Sequence, residues 1–129
     1  MSMPLRVLLI EDDPNYVALV QQWLSHGTES KFVLNWTDSL QTGLIRLKQG
    51  GVDVILLDLG LPDSGGLETF RKVKLQAAGI PLIVLSGDNT EEFALQLVRG
   101  SAHEYLIYKS SSNGASLAQA ITHAVATTR

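Results

Sequence analysis

Five short apolar runs, separated by stretches of helical periodicity, constrain this 129-residue chain more than any other feature. The runs cover 6–10, 32–36, 52–58, 81–86 and 104–108. Runs this short and this apolar read as strands buried in a sheet. Between them, apolar residues recur at helical spacing: Val17, Val20 and Leu24; Leu40, Leu44 and Leu47; Leu67, Phe70, Val73 and Ala77. Phe93, Ala94 and Leu97 follow, and then Leu117, Ala120, Ile121, Ala124 and Val125. Local punctuation agrees. Asp13-Pro14 reads as an N-cap followed by proline at the first helical position. Asp38 with Gln41, and Asn89 with Glu92, have capping-box spacing. Gly27, Gly50, Gly79 and Gly100 stand where helices close.

Strand–helix alternation repeated five times predicts an α/β fold, a parallel sheet with helices on both faces. The runs 52–58 and 81–86 fit central strands, whereas 32–36 carries Asn35 and reads as nearer an edge. The length predicts one domain over 1–129, and 45% hydrophobic against 18% charged residues is globular rather than disordered. A net charge of −3 argues against direct nucleic-acid binding by this domain. With no cysteine there is neither a disulfide framework nor a thiolate metal site. No apolar run approaches the roughly 20 residues of a membrane span, and no signal-peptide layout opens the chain. A cytoplasmic location without membrane attachment fits. No Gly-x-Gly-x-x-Gly follows the first run and no phosphate loop is present, which argues against a nucleotide site.

In open α/β sheets, ligands bind outside the carboxyl ends of the strands. The first run ends at Glu11-Asp12-Asp13, the third at Asp58, the fourth at Ser86-Gly87 and the fifth at Lys109. Clustered carboxylates repel one another unless a cation joins them. A hard divalent ion such as Mg²⁺, with oxygen ligands, relieves that repulsion. A carboxylate is also a competent nucleophile toward phosphorus. Phosphoryl transfer then requires its oxygens to be neutralised, a task that the metal, Lys109 and the Ser86 hydroxyl could share. Taken singly these residues are ordinary: Asp13 is a cap, Asp63 and Asp88 are loop acids, Ser86 a turn serine and Lys109 a surface lysine. The force lies in four strand ends agreeing.

The chain resembles the receiver domains of two-component response regulators. The resemblance runs through Leu9-Ile10-Glu11-Asp12-Asp13-Pro14, Asp58-Leu59-Gly60-Leu61-Pro62-Asp63, Leu85-Ser86-Gly87 and Glu104-Tyr105-Leu106-Ile107-Tyr108-Lys109, in that order. It implies a doubly wound (βα)5 sandwich with strand order 2-1-3-4-5. It implies Asp58 as phosphoacceptor, with Mg²⁺ held by Asp12 directly, by Glu11 through water, by Asp58 and by the Gly60 carbonyl. Ser86 matches the switch hydroxyl and Lys109 the family's lysine. The implied donor is a phosphohistidine on a sensor histidine kinase or phosphotransfer protein. The implied recipient of the signal is an output domain or effector protein, and homodimerisation is compatible. Such a domain is a phosphoacceptor rather than an enzyme, though it promotes its own phosphorylation and dephosphorylation. A weaker likeness, in 63–70 and the tail from Lys109, is to receivers beside PAS or diguanylate cyclase modules.

Two departures stand out. The family's aromatic usually lies three residues before the lysine, whereas Tyr105 lies four before Lys109. Because side chains alternate along a strand, one extra residue reverses the face. A bulge or irregular turn around Ile107-Tyr108 is therefore expected, with Lys109 still reaching the acids. Ser110 stands where the family often has a cis proline, so the loop before the last helix is expected to be more mobile. Phosphorylation adds about −1.5 to −2 charge at Asp58. Ser86 would follow the new oxygens and Tyr105 turn inward, biasing the surface of the fourth helix, fifth strand and last helix.

Alternatives follow from the same residues. A pseudo-receiver would share the fold and bind proteins without phosphorylation. A haloacid dehalogenase-like phosphatase would need an acid two residues after its nucleophile, where this chain has Gly60. A flavodoxin-like carrier would meet an acidic first loop. His26, His103 and His123 lack metal-ligand spacing, and Trp23 and Trp36 read as packing residues. The last helix is expected to finish near Ala126, with no output domain following.

Overall fold

The computed structural model describes residues 4–25, 31–87, 96, 105–111 and 113–128, without the side chains of Tyr105, Ser111 and Thr128. In order, these residues form β1 (Leu5–Ile10), α1 (Pro14–Ser25), β2 (Phe32–Thr37), α2 (Leu40–Lys48), β3 (Val54–Asp58), α3 (Gly66–Gln76), β4 (Leu82–Ser86), β5 (Tyr105–Tyr108) and the C-terminal α4 (Gly114–Thr128). A 3₁₀ turn, Lys109–Ser111, joins β5 toward α4. The helix expected around Phe93 to Leu97, the Asn89/Glu92 box, Gly27 and Gly100 lie outside the described residues.

The five strands are parallel, in the order β2-β1-β3-β4-β5. Alternation along the strands builds two cores. Leu8, Ile10, Ile55, Leu57 and Val84 face α2 and α3, packing with Leu40, Leu47, Phe70 and Val73. Val7, Leu9, Val54, Leu56, Ile83 and Leu85 face α1 and α4, packing with Val20, Leu24, Leu117 and Ile121. Every residue of β3 and β4 is buried, as the continuous apolar runs require of strands covered on both sides. At the edge, β2 leaves Val33 and Trp36 nearly half exposed.

Helix ends hold one expected cap and three unexpected ones. Asp13 Oδ1 accepts from the Asn15 amide at 2.9 Å, with Pro14 opening α1. The Asp38/Gln41 box does not form. The cap of α2 is Ser39, one residue later, whose Oγ accepts from the Thr42 amide at 3.2 Å. Asp63, from the loop after β3, adds a carboxylate to the same helix end: its oxygens accept from the Leu40 and Gln41 amides at 2.9 and 3.1 Å. At α4, Asn113 Oδ1 accepts from the Ser116 amide while Ser116 Oγ accepts from the Asn113 amide, a reciprocal box.

The expected bulge at Ile107-Tyr108 is absent. β5 pairs with β4 in unbroken register, from Ile83 with Tyr105 to Ser86 with Tyr108, and the irregular turn begins only at Lys109. No cis peptide bond occurs among the described residues. Leu106, three residues before Lys109, packs toward the α2/α3 core, and Ile107 packs toward the α1/α4 core.

Candidate functional site

The parallel sheet brings the carboxyl ends of β1, β3, β4 and β5 to one edge, and the acids stand there. Glu11 extends β1 by one residue. Its amide donates to Thr37 O at 3.0 Å, and its carbonyl accepts from Trp36 Nε1 at 2.6 Å. β2 thus fixes both backbone groups of Glu11, whose side chain is fully buried. Asp12 is exposed, and Asp13 turns away into the α1 cap.

Asp58 closes β3 with 5% exposure, and Oδ1 accepts from the Gly60 amide at 3.0 Å. Ser86 closes β4, buried at 3%, and its hydroxyl lies 3.4 Å from Gly87 O. Lys109 opens the 3₁₀ turn after β5. Its ammonium pairs with Glu11 Oε1 and lies 3.4 Å from Asp58 Oδ2. Glu11, Asp12 and Asp58 each offer a carboxylate oxygen, all within 4.8 Å of one another. Tyr105 pairs through its backbone with Ile83, and its side chain lies outside the described residues. Asp88, His26 and His103 lie outside them as well.

The electrostatics follow from burial and crowding. Burial, then the nearby Asp58, pushes the Glu11 carboxyl up to about 8, against the opposing pull of Lys109. Burial alone would raise Asp58 too. The hydrogen bond from Glu11, the Gly60 amide and the Lys109 charge outweigh it and hold Asp58 below the usual carboxylate range. Burial would lower Lys109, but Glu11 and Asp58 hold it above the ordinary lysine value. The two carboxyl groups are therefore pushed in opposite directions, Glu11 toward its protonated form and Asp58 toward its ionised form. Three carboxylates this close crowd more negative charge than Lys109 alone offsets, and their hard oxygen donors suit a further cation such as Mg²⁺.

A family profile for the response regulator receiver domain matches residues 7–122. The chain belongs to the response regulator receiver domain family. That places this receiver domain within two-component signal transduction, and sets aside the phosphatase and flavin-carrier alternatives. It is 33% identical over 103 residues to the cell cycle transcriptional regulator CtrA of Caulobacter vibrioides, covering 79% of the chain and 43% of CtrA. It is 30% identical over 103 residues to the transcriptional regulatory protein QseB of Haemophilus influenzae, covering 79% of the chain and 45% of QseB. The receiver domain spans less than half the length of either relative. Among solved structures, a CheY-like receiver domain from Methanospirillum hungatei JF-1 superposes with a TM-score of 0.81 at 21% identity, covering 98% of this chain and 97% of that one. The receiver domain of an HD domain-containing protein from Pseudomonas fluorescens Pf-5 does so at 0.83 and 17%, covering 99% and 91%. These likenesses establish the shared fold.

Three contributors around the site have roles that the sequence reading did not assign. Trp36, read as packing, is the hydrogen-bond donor to Glu11. Asp63, read as a loop acid, ties the loop following Asp58 to α2. Tyr16, spaced four before Val20, extends the apolar face of α1, and its ring lies 4.8 Å below the Lys109 ammonium. The 3.6-residue spacing could have found the burial of Tyr16, but not the cation above it.

Proposed function

We propose that Asp58 accepts a phosphoryl group from a phosphohistidine on a sensor histidine kinase or phosphotransfer protein. The observation that carries the reading is the Asp58 carboxylate itself: buried and 3.4 Å from Lys109, with Glu11 and Asp12 beside it. An Asp58 oxygen attacks phosphorus, the P–N bond breaks, and the leaving imidazole nitrogen takes the electron pair and a proton. Lys109 neutralises one phosphoryl oxygen, and the Ser86 hydroxyl donates to another after leaving Gly87. Asp12, Glu11, Asp58 and the Gly60 carbonyl would hold Mg²⁺, which when bound offsets charge on the carboxylates and the phosphoryl group.

The new charge at Asp58 then biases the surface around β5 through Ser86 and Tyr105, toward an output domain or effector protein. Leu106 holds the place three before Lys109 that the family gives to an aromatic, so Tyr105 has to act from the neighbouring position. No helix among the described residues is long and apolar enough to cross a membrane, which is compatible with a cytoplasmic site of action.

Incubation with acetyl phosphate and Mg²⁺ should label the wild type and leave Asp58→Asn unlabelled. Label retained by Asp58→Asn overturns the reading. An unlabelled wild type favours a receiver that binds partners without phosphorylation. Structures with and without beryllofluoride should show Ser86 and Tyr105 displaced, and no movement at either would contradict the switch.

A further inference from the structure

The extra residue between Tyr105 and Lys109 leaves β5 regular, so its consequence falls on the lysine. Ile107 packs toward α1 and α4, and Lys109, two residues on, falls on the same side as the chain enters the 3₁₀ turn. On that side α1 presents Tyr16, 6% exposed, with its ring centroid 4.8 Å from the Lys109 ammonium. The ring is itself braced. Trp23, two turns along α1, meets Tyr16 edge-on at 6.0 Å and 85°. Trp23 in turn lies against the first residue of α4, where a Cβ on Gly114 would come within 3.2 Å of three Trp23 side-chain atoms. Gly114 thus lets α4 start in contact with the indole, and the turn carrying Lys109 ends just before it.

We propose that Tyr16 is a positioning residue for Lys109: the face of its ring holds the ammonium over Asp58 and Glu11. An aromatic face attracts a cation through its quadrupole, and more strongly where water is excluded. The ammonium then has the ring at 4.8 Å and the two carboxyl groups as its partners. That orientation counts when a phosphoryl group has to be met by a charge already in place. The inference rests on the phosphoacceptor reading for its kinetic consequence, but the contact itself does not depend on it.

The test therefore has two arms. In the first, NMR of the lysine ε-methylene groups in unphosphorylated protein should show a ring-current shift for Lys109. The shift should be kept in Tyr16→Phe and lost in Tyr16→Leu. In the second, phosphorylation of Asp58 by acetyl phosphate with Mg²⁺ should slow roughly 3- to 10-fold in Tyr16→Leu, with Tyr16→Phe recovering most of the rate. Pentafluorophenylalanine at position 16, which keeps the shape but removes the negative face, should behave like leucine and guards against a Leu variant that folds poorly. A rate unchanged in Tyr16→Leu, equal losses in Phe and Leu variants, or full activity with the fluorinated ring each overturn the proposal. If the wild type takes up no phosphoryl group at all while the ring-current pattern holds, the phosphoacceptor reading fails and the contact stands.

Discussion

Glu11 and Asp58 are both buried carboxyl groups, yet their surroundings push them in opposite directions, Glu11 up and Asp58 down. At Asp58 the Glu11 hydrogen bond, the Gly60 amide and Lys109 outweigh burial, whereas at Glu11 burial and the nearby Asp58 outweigh the pull of Lys109. The sign of the pH dependence follows. Because Glu11 is raised from 4.5 to about 8 in the fold, the folded protein binds more protons than the unfolded chain between those values. Without metal, stability should therefore fall as pH rises through that window and level off above it. Urea midpoints at about pH 5 and about pH 8.5 check this, with Glu11→Gln expected to remove most of the slope. Mg²⁺ binding must displace the same proton, so its affinity should climb with pH up to about 8 and then flatten. A flat profile in titration calorimetry would contradict that proton assignment. The positions of Glu11, Asp12, Asp58, Ser86 and Lys109 were legible in the sequence because a strand that ends in a polar residue delivers it to the sheet edge. The opposite shifts of the two carboxyl groups were not, since they depend on burial and hydrogen bonds that only the fold sets.

At the scale of elements, α2 shows what local patterns convey and what they miss. Its apolar spacing of Leu40, Leu44 and Leu47 was readable, and so was Gly50 at its end, where φ is 76°. Its start was displaced by one residue, because Ser39 rather than Asp38 has the extended backbone of a cap. Asp63, distant in sequence, could not be assigned to α2 from the sequence, since only the fold brings the loop after β3 to that helix end. Removing its carboxylate by Asp63→Ala should cost about 0.5–2 kcal/mol near neutral pH. The α2 amides hold the Asp63 carboxyl below its ordinary 3.8. That contribution is present above 3.8 and disappears as pH falls through the lowered value, so wild type and variant should converge in acid denaturation. Gly43 sits mid-helix over β1, where a Cβ would come within 2.6 Å of Ile10 Cδ1 and 3.0 Å of Cγ1. Gly43→Ala gains about 1 kcal/mol of helix propensity but overpacks a core at a cost of about 1–3 kcal/mol. A net loss is expected, partly restored by Ile10→Val, and a stabilised single variant would refute the close packing. β5 was the harder element: an extra residue suggested a bulge, but a four-residue strand can end early and leave the irregularity to the turn.

At the scale of the whole molecule, the proposed function depends on four strand ends converging although they are separated by most of the chain. A parallel sheet in the order β2-β1-β3-β4-β5 puts β1 and β3 side by side, with β4 and then β5 beyond. Glu11, Asp12, Asp58, Ser86 and Lys109 are neighbours for that reason alone. This convergence was readable because strand–helix alternation allows few topologies. The Tyr16–Trp23–Gly114 packing was not, because it depends on how α1 and α4 lie against each other. On the proposed reading, the converged carboxylate at residue 58 becomes the phosphorylated one. Borohydride reduction of the protein after treatment with acetyl phosphate and Mg²⁺, followed by peptide mass mapping, tests it most directly, since an aspartyl phosphate is reduced to homoserine. Homoserine is expected at position 58, dependent on both donor and Mg²⁺ and absent when Lys109 is replaced by Met. Homoserine at another acid, or an unmodified Asp58 in folded and metal-loaded protein, would contradict it.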